Sequence, residues 1–263
     1  MKYTGERCVP GTKGLELLEL EHRSRYEMAV PAASQGDALD LGCGTGYGSA
    51  LLAEAARRVV AVDISQEAIE YARNAFAKKN IEFMVGDVCD DSIADRIRAV
   101  HPGLFDLVVC FELIEHLQAP LKALDLARKL LAPGGLLYIS TPNVSRPQEA
   151  VERDNPYHVV EYDYNQFQSL LQERFKYVQI FPQFVHLAST IGAPVDRSLR
   201  QAEWRSAKEG EAKYFIAVCS DQKKRIPKQG LRLLTSDSHL MLLQDRLREL
   251  RTDQSFKSQM IQN

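Results

Sequence analysis

Over the first 220 residues, short apolar runs alternate with stretches whose apolar positions recur every three or four residues. The runs at 38–41, 58–63, 81–88, 105–110 and 136–140 are rich in Val, Ile, Leu and Phe. That is the pattern of strands buried on both faces. The stretches between them, at 49–56, 65–79, 91–100 and 120–131, read as helices. Ser65 is a candidate N-cap, and Ala68, Ile69, Ala72 and Phe76 share one face behind it. Pro120 suits a first helical turn, and Pro133-Gly134-Gly135 suits a stop. A further helix is expected at 13–33, with Leu15, Leu18 and Met28 on its apolar side. A helix at 163–172 precedes two more strands, at 175–181 and 213–219. Strands alternating with helices predict an α/β fold, a mostly parallel sheet with helices on both faces and right-handed crossovers.

The chemistry concentrates where these strands end. The first strand runs through Asp40-Leu41 into Gly42-Cys43-Gly44-Thr45-Gly46-Tyr47-Gly48 and then a helix. Glycines let a ligand approach the backbone, and the N–H groups of a helix start favour an anionic group. Tyr47 stands where a dinucleotide fingerprint would place its third glycine. Asp63 ends the second strand 21 residues after Gly42, about where an acid meets a ribose diol in a Rossmann-like unit. Asp87 follows the third strand, and the fourth runs into Phe111-Glu112-Leu113-Ile114-Glu115-His116-Leu117. For Asp63 and Asp87 the plain alternative is a capping or turn acid. Loops at the carboxyl ends of such strands usually carry function, which draws in 144–161 with its Asn155-Pro156-Tyr157-His158-Val159-Val160-Glu161 segment.

Composition narrows the class. The 263 residues are 45% hydrophobic and 26% charged, with net charge −2. This fits a globular protein and gives no global footprint for a nucleic-acid partner. No apolar run approaches ~20 residues, so no membrane-spanning helix is expected, and residues 1–6 lack the apolar core of a signal peptide. Cys8, Cys43, Cys89, Cys110 and Cys219 are odd in number and lack C-x-x-C spacing. That favours reduced thiols in a cytoplasmic protein and predicts no metal site. Residues 221–263 hold nine Lys/Arg and five acids. Leu240, Leu243, Leu247 and Leu250 step as a heptad seam there. The expected division is therefore a cap segment and helix at 1–35, a catalytic domain at 36–220, and a linker with an amphipathic helix at 221–263. That helix either packs on its own domain or starts a coiled coil that joins a second copy or an assembly partner through 240–261.

Taken in order, the glycine loop, Asp63, Asp87, the strand-4 segment and Pro133-Gly134-Gly135 resemble the class I methyltransferases that use S-adenosyl-L-methionine, over roughly residues 36–219. The Gly5-Glu6-Arg7 and Glu21-His22-x-x-Arg25-Tyr26 patterns resemble the leading segment of methyltransferases from bacterial surface-polysaccharide (O-antigen) assembly. The resemblance implies a Rossmann-like seven-stranded sheet whose last two strands are antiparallel. It implies that Asp40, Gly42, Cys43 and Gly44 line the amino-acid end of the cofactor and that Asp63 binds the ribose. Ile64 would pack on the adenine, Asp87 and Val88 would bind its edge, and Cys110 and Phe111 would pass beneath the methionine portion. Arg25 and Tyr26 would come near the cofactor from the cap. On the acceptor side, His116 is the first candidate for a general base, and His158 with Glu161 the second. His116 has an alternative positioning role, and an acceptor already ionised would need no base. The implied reaction is methyl transfer to a small polar acceptor, a sugar hydroxyl or sugar phosphate of a surface glycan. A small-molecule O-methyltransferase, as in quinone biosynthesis, is the alternative. Outside that class stand a nicotinamide-type oxidoreductase and a non-catalytic assembly domain.

Overall fold

The computed structural model describes residues 8–12, 15–146, 157–184 and 211–227. Seven strands form one sheet: β1 Asp37–Leu41, β2 Arg58–Asp63, β3 Ile81–Val85, β4 Phe105–Phe111, β5 Leu131–Pro142, β6 Tyr177–Gln183 and β7 Tyr214–Ser220. Their spatial order is β3-β2-β1-β4-β5-β7-β6. The first five are mutually parallel, and β7 pairs antiparallel with both β5 and β6. The chain reverses direction in the order at β1, the place where open α/β sheets keep their crevice.

Helices α1 Glu16–Ala33, α2 Tyr47–Leu52, α3 Gln66–Ala75, α4 Ile93–Val100, α5 Pro120–Leu130 and α6 Tyr164–Gln172 cover the sheet. Alternate strand residues point to opposite faces. Leu39, Leu41, Val60, Val62, Val108 and Ile139 pack under α4, α5 and α6. Ala38, Val59, Leu107, Val109 and Val218 pack under α1 and α2, with Ala61 and Phe83 under α3. Full burial of each Leu, Val or Ile contributes about 1.5–3 kcal/mol, and both faces need it, which is why these strands read as continuous apolar runs. The Ser65 cap forms, its Oγ accepting from Ala68 N at 3.2 Å. Asp163 caps α6 in a reciprocal box with Gln166.

Local expectations change at three places: α3 stops at Ala75 with Phe76 as its C-cap, β3 at the sheet edge buries only Phe83, and β5 starts early. The Pro133-Gly134-Gly135 stretch follows α5 as expected but already belongs to β5, with Gly134 at φ +80° and a register shift opposite Phe105–Leu107. A bulge of this kind lets a glycine-containing segment stay in the sheet. The heptad seam expected at 240–261, and Asn155 and Pro156 of the loop, lie outside the described residues. Among the described residues, no helix is long and apolar enough to cross a membrane.

Candidate functional site

The carboxyl ends of β1, β2, β3 and β4 open onto one cavity of about 590 Å³. Its floor is the glycine loop. Gly42 and Cys43 donate their N–H groups to Val62 O at 2.8 and 3.0 Å, and Gly44 N donates to Asp63 Oδ2 at 2.9 Å. Asp63 Oδ1 accepts from Ser65 N at 2.9 Å, so this carboxylate, 6% exposed, also fixes the loop's shape. Gly46 caps α2 at φ +84°, and a Cβ there would sit 2.6 Å from Ala72 Cβ. Glycine is required at that position for conformation and for space alike. A Cβ on Gly48 would lie within the Tyr26 ring, which packs over the helix start.

Tyr26 of α1 packs edge-on against Phe111 and Tyr47, with centroids 5.0 and 5.7 Å away. Its hydroxyl donates to Asp40 at 3.2 Å, and Ser49 Oγ donates to Asp40 Oδ2 at 2.6 Å. Asp40 is fully buried, and burial pushes its pKa up to about 7 against the lowering effect of those two hydroxyls. Asp40 ties α1 and α2 to the end of β1 from behind the loop.

Arg25 lies one residue before, 0% exposed, stacked 4.0 Å over the Tyr214 ring. Its Nε donates to Gln183 Oε1 at 2.9 Å, and Nη1 is 3.7 Å from Glu112 Oε1. That last distance is an ion pair without a hydrogen bond. Nη1 and Nη2 have no hydrogen-bond partner among the described residues, although the side chain lines the cavity. Glu112 holds φ +51°, a costly conformation for a non-glycine residue, and its carboxylate accepts from Ser140 Oγ at 2.7 Å. His22 lines the same end. Burial and the charges of Arg25 and Lys213 hold its pKa well below the usual imidazole value, so it is neutral.

The residues nominated from sequence divide by place. Arg25, Tyr26, Gly42, Cys43, Gly44 and Asp63 line the cavity on the loop side. Ile64, Asp87, Val88 and Phe111 line it too, with Ile64 62% exposed at the rim. Asp87 is exposed and accepts from Cys89 N at 2.8 Å. Asp40 and Cys110 lie behind the lining. Burial pushes the Cys43 and Cys110 thiols far up, so both stay protonated. His116 lines the wall, with His158 and Glu161 behind it.

That wall is a turn clasped by a loop. Ile114–His116 forms one 3-10 turn after β4. The Glu115 carbonyl accepts from Val159 N and Val160 N at 2.8 and 3.1 Å. His116 Nδ1 lies 3.0 Å from Tyr157 O, and since a carbonyl only accepts, Nδ1 carries the proton. The His116 and His158 rings meet edge to face at 5.1 Å, and His158 Nδ1 lies 3.4 Å from Glu161 Oε1. Sequence reading passed over Glu115, which is 1% exposed, and over Glu112. An acid in a turn gives no signal of burial.

An S-adenosylmethionine-like group fits these residues. Arg25 lines the cavity, and its Nη1 and Nη2 lack a hydrogen-bond partner among the described residues, a fork that suits a carboxylate. A Cβ added at Gly44 would meet nothing within 4 Å, so the loop surface stays open to a ligand.

Comparison with known proteins agrees. A family model described as methyltransferase domain matches residues 19–177. The chain is 32% identical over 174 residues to a probable S-adenosylmethionine-dependent methyltransferase of Mycobacterium tuberculosis, covering 65% of this chain and 60% of that protein. It is 35% identical over 121 residues to a ubiquinone biosynthesis O-methyltransferase of Xanthomonas campestris, covering 46% of this chain and 49% of that protein. The chain thus spans less than two thirds of the length of either relative. Among solved structures, the N-methyltransferase NodS of Bradyrhizobium japonicum in complex with S-adenosyl-l-homocysteine shares the fold at TM-score 0.53 and 19% identity, covering 80% of this chain and 88% of that one. With more than half its length matched by the family model and its glycine loop, paired strand-end acids and cavity in place, the chain belongs to the methyltransferase-domain family.

Proposed function

We propose that the protein transfers a methyl group from S-adenosylmethionine to an oxygen of a small polar acceptor. The observation that carries this reading is one cavity that joins the glycine loop and Asp63 to the His116 wall. The cofactor supplies the electrophile, a methyl group on a sulfonium. The chain supplies position and proton handling. Arg25 receives the cofactor's carboxylate, Asp63 its ribose hydroxyls, and Ile64, Asp87 and Val88 its adenine. His22, neutral, adds no charge against a sulfonium. His116, with Nδ1 held by Tyr157 O, presents Nε2 to an acceptor's proton. Alignment of acceptor and methyl supplies the larger share of the acceleration, with ~7–11 kcal/mol available from well-oriented reactants.

A sugar hydroxyl or sugar phosphate of a surface glycan is the leading acceptor. This choice rests on the resemblance of the Gly5-Glu6-Arg7 and Glu21–Tyr26 patterns, and of the Asn155-Pro156-x-His158-x-x-Glu161-Tyr162 pattern, to enzymes of polysaccharide assembly. The second reading is a small-molecule hydroxyl, as in quinone biosynthesis, favoured by the likeness to ubiquinone biosynthesis O-methyltransferases. A labelled-methyl assay against nucleotide sugars, lipid-linked glycans and quinone precursors tests both. Label in a sugar ether or methyl phosphate supports the first, and label in a quinone precursor supports the second. If calorimetry detects no S-adenosylmethionine binding, neither reading survives.

A further inference from the structure

We propose that Glu115, His116 and His158 form a binding site for one first-row divalent cation, of the Mn²⁺, Fe²⁺ or Zn²⁺ type, that holds the acceptor oxygen. The inference rests on the hydroxyl-methylation reading and deepens it, changing the role of His116 from proton acceptor to ligand. One ligating atom from each of the three side chains lies within 4.8 Å of the other two. An ion between them would draw these side chains in to the ~2.0–2.2 Å that imidazole and carboxylate take around it.

The chain builds this arrangement from two segments far apart in sequence. Main-chain bonds from Val159 and Val160 to the Glu115 carbonyl set the loop that bears His158 against the turn that bears Glu115 and His116. Each imidazole has its Nδ1 beside an oxygen acceptor, Tyr157 O at 3.0 Å for His116 and Glu161 Oε1 at 3.4 Å for His158. Such outer partners fix the tautomer in which Nε2 is the ligating nitrogen.

Two imidazoles and one carboxylate are the donor set of catalytic zinc and non-haem iron sites, which keep coordination positions open. Imidazole donors favour first-row ions over Mg²⁺ and Ca²⁺, which take oxygen. His116 and Tyr157 line the cavity, so an open position would face an acceptor. A hydroxyl oxygen bound there loses its proton at lower pH. The O–H bond breaks and the proton passes to bulk water. The oxygen then takes the methyl as the methyl–sulfur bond breaks, with that electron pair staying on sulfur.

The test needs no methyl transfer. Metal-stripped protein, without cofactor or acceptor, is titrated with MnCl₂, ZnCl₂ or MgCl₂ by calorimetry, with Mn²⁺ also followed by electron paramagnetic resonance. One Mn²⁺ or Zn²⁺ per chain is expected, bound more tightly than Mg²⁺. Glu115→Gln and His158→Ala are expected to weaken it by more than ~10-fold, since losing even an outer partner costs that much. Melting temperature and S-adenosylmethionine affinity check that each variant is folded. Should a ligand variant fail that check, Glu161→Gln replaces it, with ~10-fold weakening expected. Absence of stoichiometric binding, equal binding by every folded variant, or tighter binding of Mg²⁺ overturns the proposal. Full methyl transfer to a hydroxyl in EDTA would overturn the metal's role while leaving the reaction standing. Stoichiometric ion binding with no hydroxyl methylated in the acceptor panel would do the opposite.

Discussion

The loop wall of the cavity is carried by consecutive strand ends, whereas the histidine wall joins a turn after β4 to a loop 41 residues further along. On the loop side the key groups are buried and tied to secondary structure: Asp40 at 0% exposure, Tyr26 at 5% and Asp63 at 6%. On the histidine side His116, His158 and Glu161 are partly exposed and held through main-chain carbonyls and each other. The difference teaches where stability and chemistry are coupled. A change at one of these buried groups of the loop wall alters the fold and the cofactor site together. A change on the histidine wall touches little of the core, so it can alter turnover alone.

The largest effect expected is on the histidine wall. His116→Ala is predicted to lower kcat by roughly 10²–10⁴-fold, whether Nε2 takes a proton or holds an ion. S-adenosylmethionine affinity and melting temperature stay near the parent values, because the ring is held by Tyr157 O and His158 and stands outside the sheet's core. A matching loss of cofactor affinity would erase the contrast between the walls. On the other wall, Asp40→Asn is predicted to act on stability through pH. The folded-state pKa is about 7, against ~3.9 in an unfolded chain. The folded form therefore keeps a proton that the unfolded form releases. The resulting stabilisation is complete below about pH 4 and is lost as pH rises through about 7. Parent protein should lose on the order of 2–3 kcal/mol more than Asp40→Asn between pH 5 and pH 8, read from denaturant melts. Parallel curves for the two proteins would show that Asp40 titrates as an ordinary acid.

The same contrast explains what the sequence made legible. Strands buried on both faces write themselves as apolar runs, so β1, β2 and β4 were found where they stand, while β3, a partly buried edge strand, and β5, which starts at Leu131, match their runs less closely. The inward side of α1 carries Glu21 and Arg25, both buried with charged or hydroxyl partners. No hydrophobic periodicity marks such a face, and only the family likeness drew attention to Arg25 and Tyr26. The antiparallel placement of β7 between β5 and β6 also lies beyond spacing, since an isolated strand does not record its direction. Glu115 stayed hidden because its burial depends on a loop that folds back from Tyr157 to Val160. Long-range clasping of this kind leaves no local pattern.

A smaller effect is expected from Arg25→Lys, which keeps a charge beside Glu112 but removes the two-nitrogen fork. Loss of charge-assisted bonds worth about 1.5–3 kcal/mol predicts a Kd for S-adenosylmethionine raised some 10- to 100-fold. The control is 5′-methylthioadenosine, which lacks the amino-acid portion. Its affinity should hardly change. Equal losses for both ligands would mean that Arg25 acts through the fold of the loop wall and touches no carboxylate.

The smallest effect separates binding from folding on that same wall. Ile64 is 62% exposed, a large apolar side chain at the cavity rim just after Asp63. Exposure of that extent means Ile64 stabilises the fold little, so Ile64→Ala should change stability by no more than the scatter of surface changes, about 0.5 kcal/mol, and leave the melting temperature near the parent value. If the adenine covers it, the truncation removes apolar area that binding would bury, about 1 kcal/mol or a ~5-fold rise in Kd. Here 5′-methylthioadenosine should show the same loss as S-adenosylmethionine, the reverse of the Arg25 pattern, because both carry the adenine. Unchanged affinity for both would place the base away from Ile64. A fall in melting temperature instead would show that the rim is coupled to the core, and the loop wall would then have no part in which binding varies alone.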